Sequence, residues 1–119
     1  MHKSIVVDGL DRGGPYAHAV LAGDTIYISG QTGLNANNLH DFKSQFKVAM
    51  EKISKIAGSV GKTIGDIVKL NVYLVDSSYF KEMNELFGEY FREMPPARTT
   101  LIASFASEGI LVELDATLH

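Results

Sequence analysis

The stretch Pro-Pro-Ala-Arg-Thr-Thr-Leu-Ile-Ala-Ser-Phe-Ala-Ser-Glu-Gly-Ile-Leu-Val-Glu, residues 95–113, places one arginine and one glutamate in two apolar segments separated by a turn. Successive side chains on a strand point to opposite faces. Arg98 therefore shares a face with Thr100. In the segment that follows the turn, Glu113 points away from the face that carries the apolar side chains. Facing the core we expect Thr99, Leu101, Ala103, Phe105, Ile110, Val112, Leu114, Ala116 and Leu118. The sequence predicts a hairpin with Arg98 and Glu113 on one face, away from the core.

Two interpretations of this pair remain open on the hairpin alone. An ion pair on a solvated strand face contributes little to stability, and most charged side chains on strands are simply exposed. Alternatively, Arg98 and Glu113 belong to a binding or catalytic site. The rest of the chain has to decide between these interpretations.

Length and composition favour one ordinary globular domain that spans residues 1–119, because 45% of the residues are apolar and 21% are charged. The net charge of −3 does not favour nucleic-acid binding, which needs clustered Lys and Arg. No cysteine is present, and the four histidines lack ligand spacing, so we expect neither a metal nor another cofactor. No segment approaches membrane-spanning length, and we expect a cytoplasmic protein without a membrane partner.

The periodicity of the remaining chain predicts an α+β sandwich, in which a sheet of five to six strands carries two helices on one face. The predicted elements, in chain order, are a strand at 5–7, two strands within 16–31 around a turn at Gly23-Asp24, a helix over 39–60 with Asn38 as N-cap, a strand over 66–74, a helix capped by Asp76 and Ser77 that ends before Pro95, and the final pair of strands.

The sheet face opposite the helices is expected to be rich in aromatic, β-branched and hydrogen-bonding groups instead of Lys and Glu. A face of this kind favours association of subunits in a closed symmetric ring, with Arg98 in clefts between them. The residues assigned to this face are Tyr16, His18, Tyr27, Ser29, Lys69, Asn71, Tyr73, Arg98, Thr100, Glu113 and Thr117.

Six short motifs in order resemble the Rid family, the reactive intermediate deaminases, which is also catalogued as YjgF and as L-PSP endoribonuclease. Each motif is common alone, but their order and spacing are specific. They are Gly14-Pro15-Tyr16 with Ala19, Ser29-Gly30-Gln31, Gly65-Asp66-Ile67-Val68-Lys69, Asn84, Pro96-Ala97-Arg98, and Val112-Glu113-Leu114.

The resemblance implies a chorismate-mutase-like homotrimer whose sheets line a central barrel, with ligand clefts between subunits. It also implies hydrolysis of 2-aminoacrylate/2-iminopropanoate or 2-iminobutanoate to a 2-oxo acid and ammonia. The planar guanidinium of Arg98 is suited to bind a small carboxylate, and Glu113 is suited to orient or deprotonate the attacking water. The resemblance adds Tyr16, Ser29, Gly30, Asn84 and Thr100 to the substrate pocket.

The chain departs from the family pattern at His18, Thr100 and Ala106-Ser107, which are expected to border the cleft. These departures motivate a second hypothesis, a non-catalytic module that binds 2-oxo acids in the same clefts. A third hypothesis, the endoribonuclease of the family's other name, fits poorly with the acidic charge balance. Tyr16, Ser29 and Asn84 also have structural interpretations, as an interface aromatic, a strand-end hydrogen-bonding group and a helix-to-loop clamp.

Overall fold

One mixed sheet of six strands, covered on one face by two helices, accounts for the α+β fold that the sequence predicts. The computed structural model describes all residues from Met1 to His119. Its strands and helices are β1 (His2–Ile5), β2 (Ala19–Ala22), β3 (Thr25–Thr32), α1 (Phe42–Gly58), β4 (Ile67–Leu74), α2 (Phe80–Tyr90), β5 (Ala97–Ile102) and β6 (Val112–Leu118). The strand order across the sheet is β1-β2-β3-β6-β4-β5. Neither helix is long and apolar enough to cross a membrane.

The predicted hairpin around Gly23-Asp24 is confirmed, with Ala22 opposite Thr25 and Gly23 at a φ of +60°. Glycine adopts this left-handed conformation without a steric penalty, which suits a two-residue turn. The first strand, in contrast, lies at His2–Ile5 and pairs with β2, so the predicted strand at 5–7 is shifted towards the N-terminus.

The core lies between the helices and the sheet, where alternate residues of the central strands meet the apolar stripes of both helices. Burying one Leu or Ile side chain contributes about 1.5–3 kcal/mol, so this layer supplies most of the driving force for folding. Its fully buried large side chains include Ile26, Phe46, Met50, Ile53, Ile56, Leu70, Leu74, Met83, Leu114 and Leu118.

Helix α1 begins three residues later than the sequence predicts. Asp41, not Asn38, is the N-cap, and its carboxylate accepts a hydrogen bond from Ser44 N at 3.0 Å. Asn38 is buried and donates to Gly33 O and to Ser44 Oγ, so it stabilises the preceding loop. Both residue types cap helices well, and tertiary contacts decide between them.

The final two strands do not form the predicted hairpin, because β4 lies between them and pairs parallel with β5. Leu70 is opposite Arg98 in this register, and Leu70 is fully buried under the helices. Residues paired across two strands share a face, so Arg98 and Thr100 lie on the helix face. Glu113 is opposite Tyr73 on the other, open face. The predicted common face for Arg98 and Glu113 is therefore wrong.

The alternation in β5 was misleading because β5 is an edge strand. Leu101 and Ile102 are 53% and 56% exposed, so neither parity of β5 is packed like a core strand. A register shift between Ile67 and Lys69 likewise turns Val68 outward, although its alternation with Leu70 would place it on the core face. At sheet edges and bulges, the sequence pattern indicates less reliably which face of the sheet a side chain lies on than it does in central strands.

A buried glutamine ties three separate segments together. The Gln45 amide donates to Asn38 O at 3.0 Å and to Gly109 O at 2.9 Å, and its oxygen accepts from Leu111 N at 2.9 Å. Gly33 packs directly on the same turn of α1, where a Cβ would overlap the carbonyl of Gln45. The loop before α1 and the loop before β6 are thus fixed on one helix.

Gly33→Ala should destabilise the protein by about 3 kcal/mol, the upper part of the range for overpacking, because the added methyl meets backbone that cannot rotate away. Chemical denaturation followed by circular dichroism measures this loss. The matched control is Gly88→Ala on α2, where a Cβ meets nothing within 4 Å. The free energy of unfolding of this control should rise by roughly 0.5–1 kcal/mol, because alanine has a higher helix propensity than glycine. Equal stability of the two variants would contradict the packing described for Gly33.

Candidate active site

Arg98 lies on β5 against the aromatic side chains of α2. The guanidinium carbon is 4.8 Å from the Phe87 ring centroid and 5.9 Å from that of Phe80, both within the range of cation–π attraction. Nη1 donates to Met83 Sδ at 3.4 Å. A thioether is a weak acceptor, so the guanidinium retains donors for an anion. Burial lowers the pKa of Arg98.

Two further predicted site residues lie close to Arg98 in the fold. Thr100 is two residues along β5 on the same face, and its Oγ1 is buried without a hydrogen-bond partner. Asn84 is exposed on α2, four residues from Phe80 and three from Phe87, so helical spacing places it beside the rings that face the guanidinium. We call Asn84, Arg98 and Thr100 the arginine half-site.

The remaining site residues, apart from Ser29, border an open groove of about 410 Å³ at the ends of β3 and β6. We call this the glutamate groove. It brings together Tyr16, Gly30 and Glu113, as the sequence predicts, and it adds two cations, Arg12 and Lys52, that the sequence did not single out. The full lining is Asp11, Arg12, Gly13, Tyr16, Gly30, Gln31, Thr32, Lys52, Phe105, Ala106, Ser107, Ile110 and Glu113.

Glu113 is held in a partly desolvated position against Gly30. A Cβ at Gly30 would lie 2.5 Å from Glu113 Oε2, so a larger residue here would displace the carboxylate from its present position. Burial raises the pKa of Glu113, and the nearby charge of Asp115 raises it further. Both effects disfavour the charged form, so this carboxylate is a stronger base than that of an exposed glutamate.

Tyr16 is fixed in the groove, and its phenol retains a free donor. Its hydroxyl oxygen accepts from Gly13 N at 3.0 Å, and its carbonyl accepts from Arg12 Nη1 at 3.0 Å. The phenolic O–H remains free to donate to a bound molecule. Ser29 differs, because its hydroxyl donates to Ala17 O at 2.7 Å. This bond matches the structural interpretation of Ser29.

A carboxylate network beside Glu113 was missed by the sequence reasoning. Asp115 accepts from Asn71 Nδ2 and from Tyr73 OH, both at 2.8 Å. The bond to Asp115 is the largest cause of the raised pKa of Tyr73. Asp115 lies two residues after Glu113 on β6, so both side chains point to the same face. This alternation was the sequence feature that could have identified Asp115 as a neighbour of Glu113.

His18 does not border a cleft on the open face. It is buried, its Nδ1 accepts from Val7 N at 2.9 Å, and Nε2 lies 3.3 Å from Asp11 O. Since Nδ1 is an acceptor, the proton on Nε2 can bond the Asp11 carbonyl. His18 therefore anchors the segment 7–11 that leads into the glutamate groove.

The two halves of the site face different directions within one chain. Arg98 is on the helix face at the β5 edge, while Glu113 is on the open face of β6, with β4 between the two strands. No cluster of three or more His, Asp or Glu side chains is arranged to hold a metal ion. A ligand that touches both Arg98 and Glu113 thus requires the half-sites of different copies.

The chain is similar to a family model, to curated proteins and to solved structures. The family model for endoribonuclease L-PSP matches residues 8–119. A RutC family protein of Pyrococcus horikoshii is 35% identical over 89% of this chain and 87% of its own length. The human 2-iminobutanoate/2-iminopropanoate deaminase is 32% identical over 87% of this chain and 78% of its own. The crystal structure of RidA from an Antarctic Psychrobacter is 34% identical, with a TM-score of 0.87 and 98% of each chain covered.

Asp115→Asn should lower the pKa of Glu113, because the variant removes the neighbouring negative charge while keeping the side-chain size. Titration of the Glu113 carboxyl carbon by NMR measures the change. Asp24→Asn, which removes a charge in the β2–β3 turn, is the control and should leave the Glu113 titration in place. An unchanged or higher Glu113 pKa in Asp115→Asn would contradict the electrostatic coupling described here.

Proposed function

Because the chain belongs to the endoribonuclease L-PSP family, also called the Rid or YjgF family, we propose that it hydrolyses small 2-imino acids and their enamine tautomers. The substrates are 2-aminoacrylate/2-iminopropanoate and 2-iminobutanoate, and the products are a 2-oxo acid and ammonia. The observation that carries the proposal is the pair of half-sites. One presents a guanidinium whose hydrogen-bond partner is a methionine sulfur, and the other presents a carboxyl with a raised pKa.

Arg98 holds the substrate carboxylate. Its planar fork can donate two parallel, charge-assisted hydrogen bonds to such a group, which the point charge of a lysine cannot copy. The rings of Phe80 and Phe87 limit the orientations of the guanidinium. Within one chain its hydrogen-bond partner is the sulfur of Met83, so binding an anion replaces a weak hydrogen bond with strong ones.

Glu113 handles the protons of the hydrolysis. The carboxylate takes a proton from water as the water oxygen bonds to the imine carbon, and it returns the proton to the nitrogen. The carbinolamine hydroxyl then gives up its proton, which Glu113 passes to the amino nitrogen. As the oxygen forms the carbonyl, the carbon–nitrogen bond breaks, ammonia leaves and the 2-oxo acid remains. An imine is already electrophilic, so positioning of water and substrate suffices without a covalent nucleophile.

In this proposal the functional unit is a homotrimer, with the arginine half-site of one copy facing the glutamate groove of its neighbour. Two features support association. The β5 edge is unpaired and carries exposed Leu101 and Ile102, and the open face carries Tyr27, which is 52% exposed. Exposed apolar edges of this kind are usually covered in soluble proteins. The Tyr16 phenol in the groove would then help to hold the substrate or the water.

Arg98→Ala should reduce kcat/KM for imine hydrolysis about a hundredfold or more, the loss expected for two charge-assisted hydrogen bonds. The assay generates 2-aminoacrylate with an amino-acid dehydratase and follows the release of pyruvate. Arg92→Ala, an exposed arginine just after α2, is the matched control and should keep wild-type activity. Wild-type protein that binds 2-oxobutanoate without accelerating imine hydrolysis would identify a non-catalytic binding module instead.

Mixing two inactive variants tests whether the site is shared between copies. Arg98→Ala and Glu113→Gln chains, unfolded together and refolded, should recover about a quarter of the wild-type rate, because random assortment pairs an intact Arg98 with an intact neighbouring Glu113 at that frequency. Each variant refolded alone is the control. A mixture no more active than the two separate variants would contradict a site built from two copies.

A further inference from the structure

Two positively charged side chains line the glutamate groove, and neither has a part in the proposed hydrolysis. Arg12 and Lys52 border the groove together with Glu113. The hydrogen-bond partner of each cation is a backbone carbonyl. Arg12 Nη1 donates to Tyr16 O at 3.0 Å. Lys52 Nζ donates to Thr32 O at 2.7 Å. A guanidinium has five N–H donors and an ammonium has three, so both cations retain donors for an anion.

Lys52 has an unusual place on α1. It lies three residues after Ala49 and four before Ile56, and both of these neighbours are fully buried in the core. Residues at this spacing share one face of a helix, so Lys52 lies at the apolar side of α1, where charged groups are rare. Its half-buried side chain reaches the end of β3, where Thr32 is opposite Glu113. Helix α1 therefore holds a positive charge at the end of the strand pair that carries Glu113.

The substrate has one substituent that the proposed mechanism leaves without a contact. The imine carbon carries a carboxylate, a nitrogen and a side chain. In the proposed function, Arg98 of a neighbouring copy holds the carboxylate, and Glu113 faces the carbon and the nitrogen. The side chain then extends along the groove. Its volume of about 410 Å³ lies in the range of pockets that bind molecules much larger than 2-iminopropanoate.

We propose that Arg12 and Lys52 bind a second carboxylate at the end of the substrate side chain, so that the protein prefers dicarboxylic 2-imino acids of four or five carbons to their monocarboxylic analogues. This inference rests on the proposed function and names its substrate class. The groove also carries the carboxyl groups of Asp11 and Glu113, and the two cations offset the repulsion that a second substrate carboxylate meets there. Their hydrogen bonds to that carboxylate are charge-assisted and therefore strong.

Calorimetry with two matched ligands tests this preference. 2-Oxoglutarate and 2-oxopentanoate have the same five-carbon chain and differ only in the terminal group, which is a carboxylate in the first and a methyl group in the second. Wild-type protein should bind 2-oxoglutarate about tenfold or more tightly, as expected for a hydrogen bond between charged groups. In Arg12→Gln/Lys52→Gln this ratio of affinities should fall to about one or below. The imines that an amino-acid oxidase generates from glutamate and norvaline should follow the same order of kcat/KM.

A matched double variant removes the same charge elsewhere. Lys47→Gln/Arg92→Gln changes two exposed cations outside the groove and should keep the wild-type ratio. Both ligands are titrated into one preparation, so partial unfolding of a variant does not change the ratio of the two dissociation constants. Arg12→Gln alone, in an exposed loop, should also lower the preference for 2-oxoglutarate.

The outcomes separate this inference from the proposed function. Equal affinities for the two ligands, in wild-type protein that hydrolyses 2-iminopropanoate, would overturn the inference and leave the proposed function standing. A preference for 2-oxoglutarate that persists in Arg12→Gln/Lys52→Gln would overturn it as well. Wild-type protein that binds no 2-oxo acid and hydrolyses no imine would overturn both.

Discussion

The position of Arg98 depends on the parallel pairing of β5 with β4. Parallel neighbours cannot be joined by a tight turn, so the chain crosses back through α2 before β5 begins. The register then aligns Arg98 with Leu70 and turns its side chain towards the helices. A guanidinium is tolerated there because β5 is an edge strand and α2 supplies the rings of Phe80 and Phe87.

Structural and functional polar groups differ here in whether their hydrogen bonds are already made. The Gln45 amide bonds three segments, and Asp115 accepts from both Asn71 and Tyr73. Arg98, in contrast, has only a sulfur partner, and Thr100 has none. In the proposed function, the carboxylate of the substrate supplies the acceptors that the Arg98 guanidinium lacks. Satisfaction of hydrogen bonds therefore separates the scaffold from the candidate site more clearly than burial does.

The sequence predicted the elements well where one face of an element is fully buried. The strict alternation in β6 and the apolar stripes of both helices matched the structure, because a slip would expose an entire core face. The order of the strands in the sheet does not follow from local sequence patterns. The final two strands were therefore wrongly paired with each other, and Arg98 was placed on the wrong face. His18 was misplaced for a related reason, since an alternating pattern does not reveal a histidine held by the backbone of Val7.

Separation of the two half-sites also bears on how Glu113 would titrate in an assembled protein. An approaching Arg98 from a neighbouring copy would lower the pKa of Glu113, since an opposite charge favours the ionised form. Burial and the Asp115 carboxylate act in the other direction within the single chain. Asp115 itself is held by Asn71 and Tyr73, so its position is fixed. In the proposed mechanism this network offsets the arginine and keeps the Glu113 carboxyl basic enough to accept a proton from water.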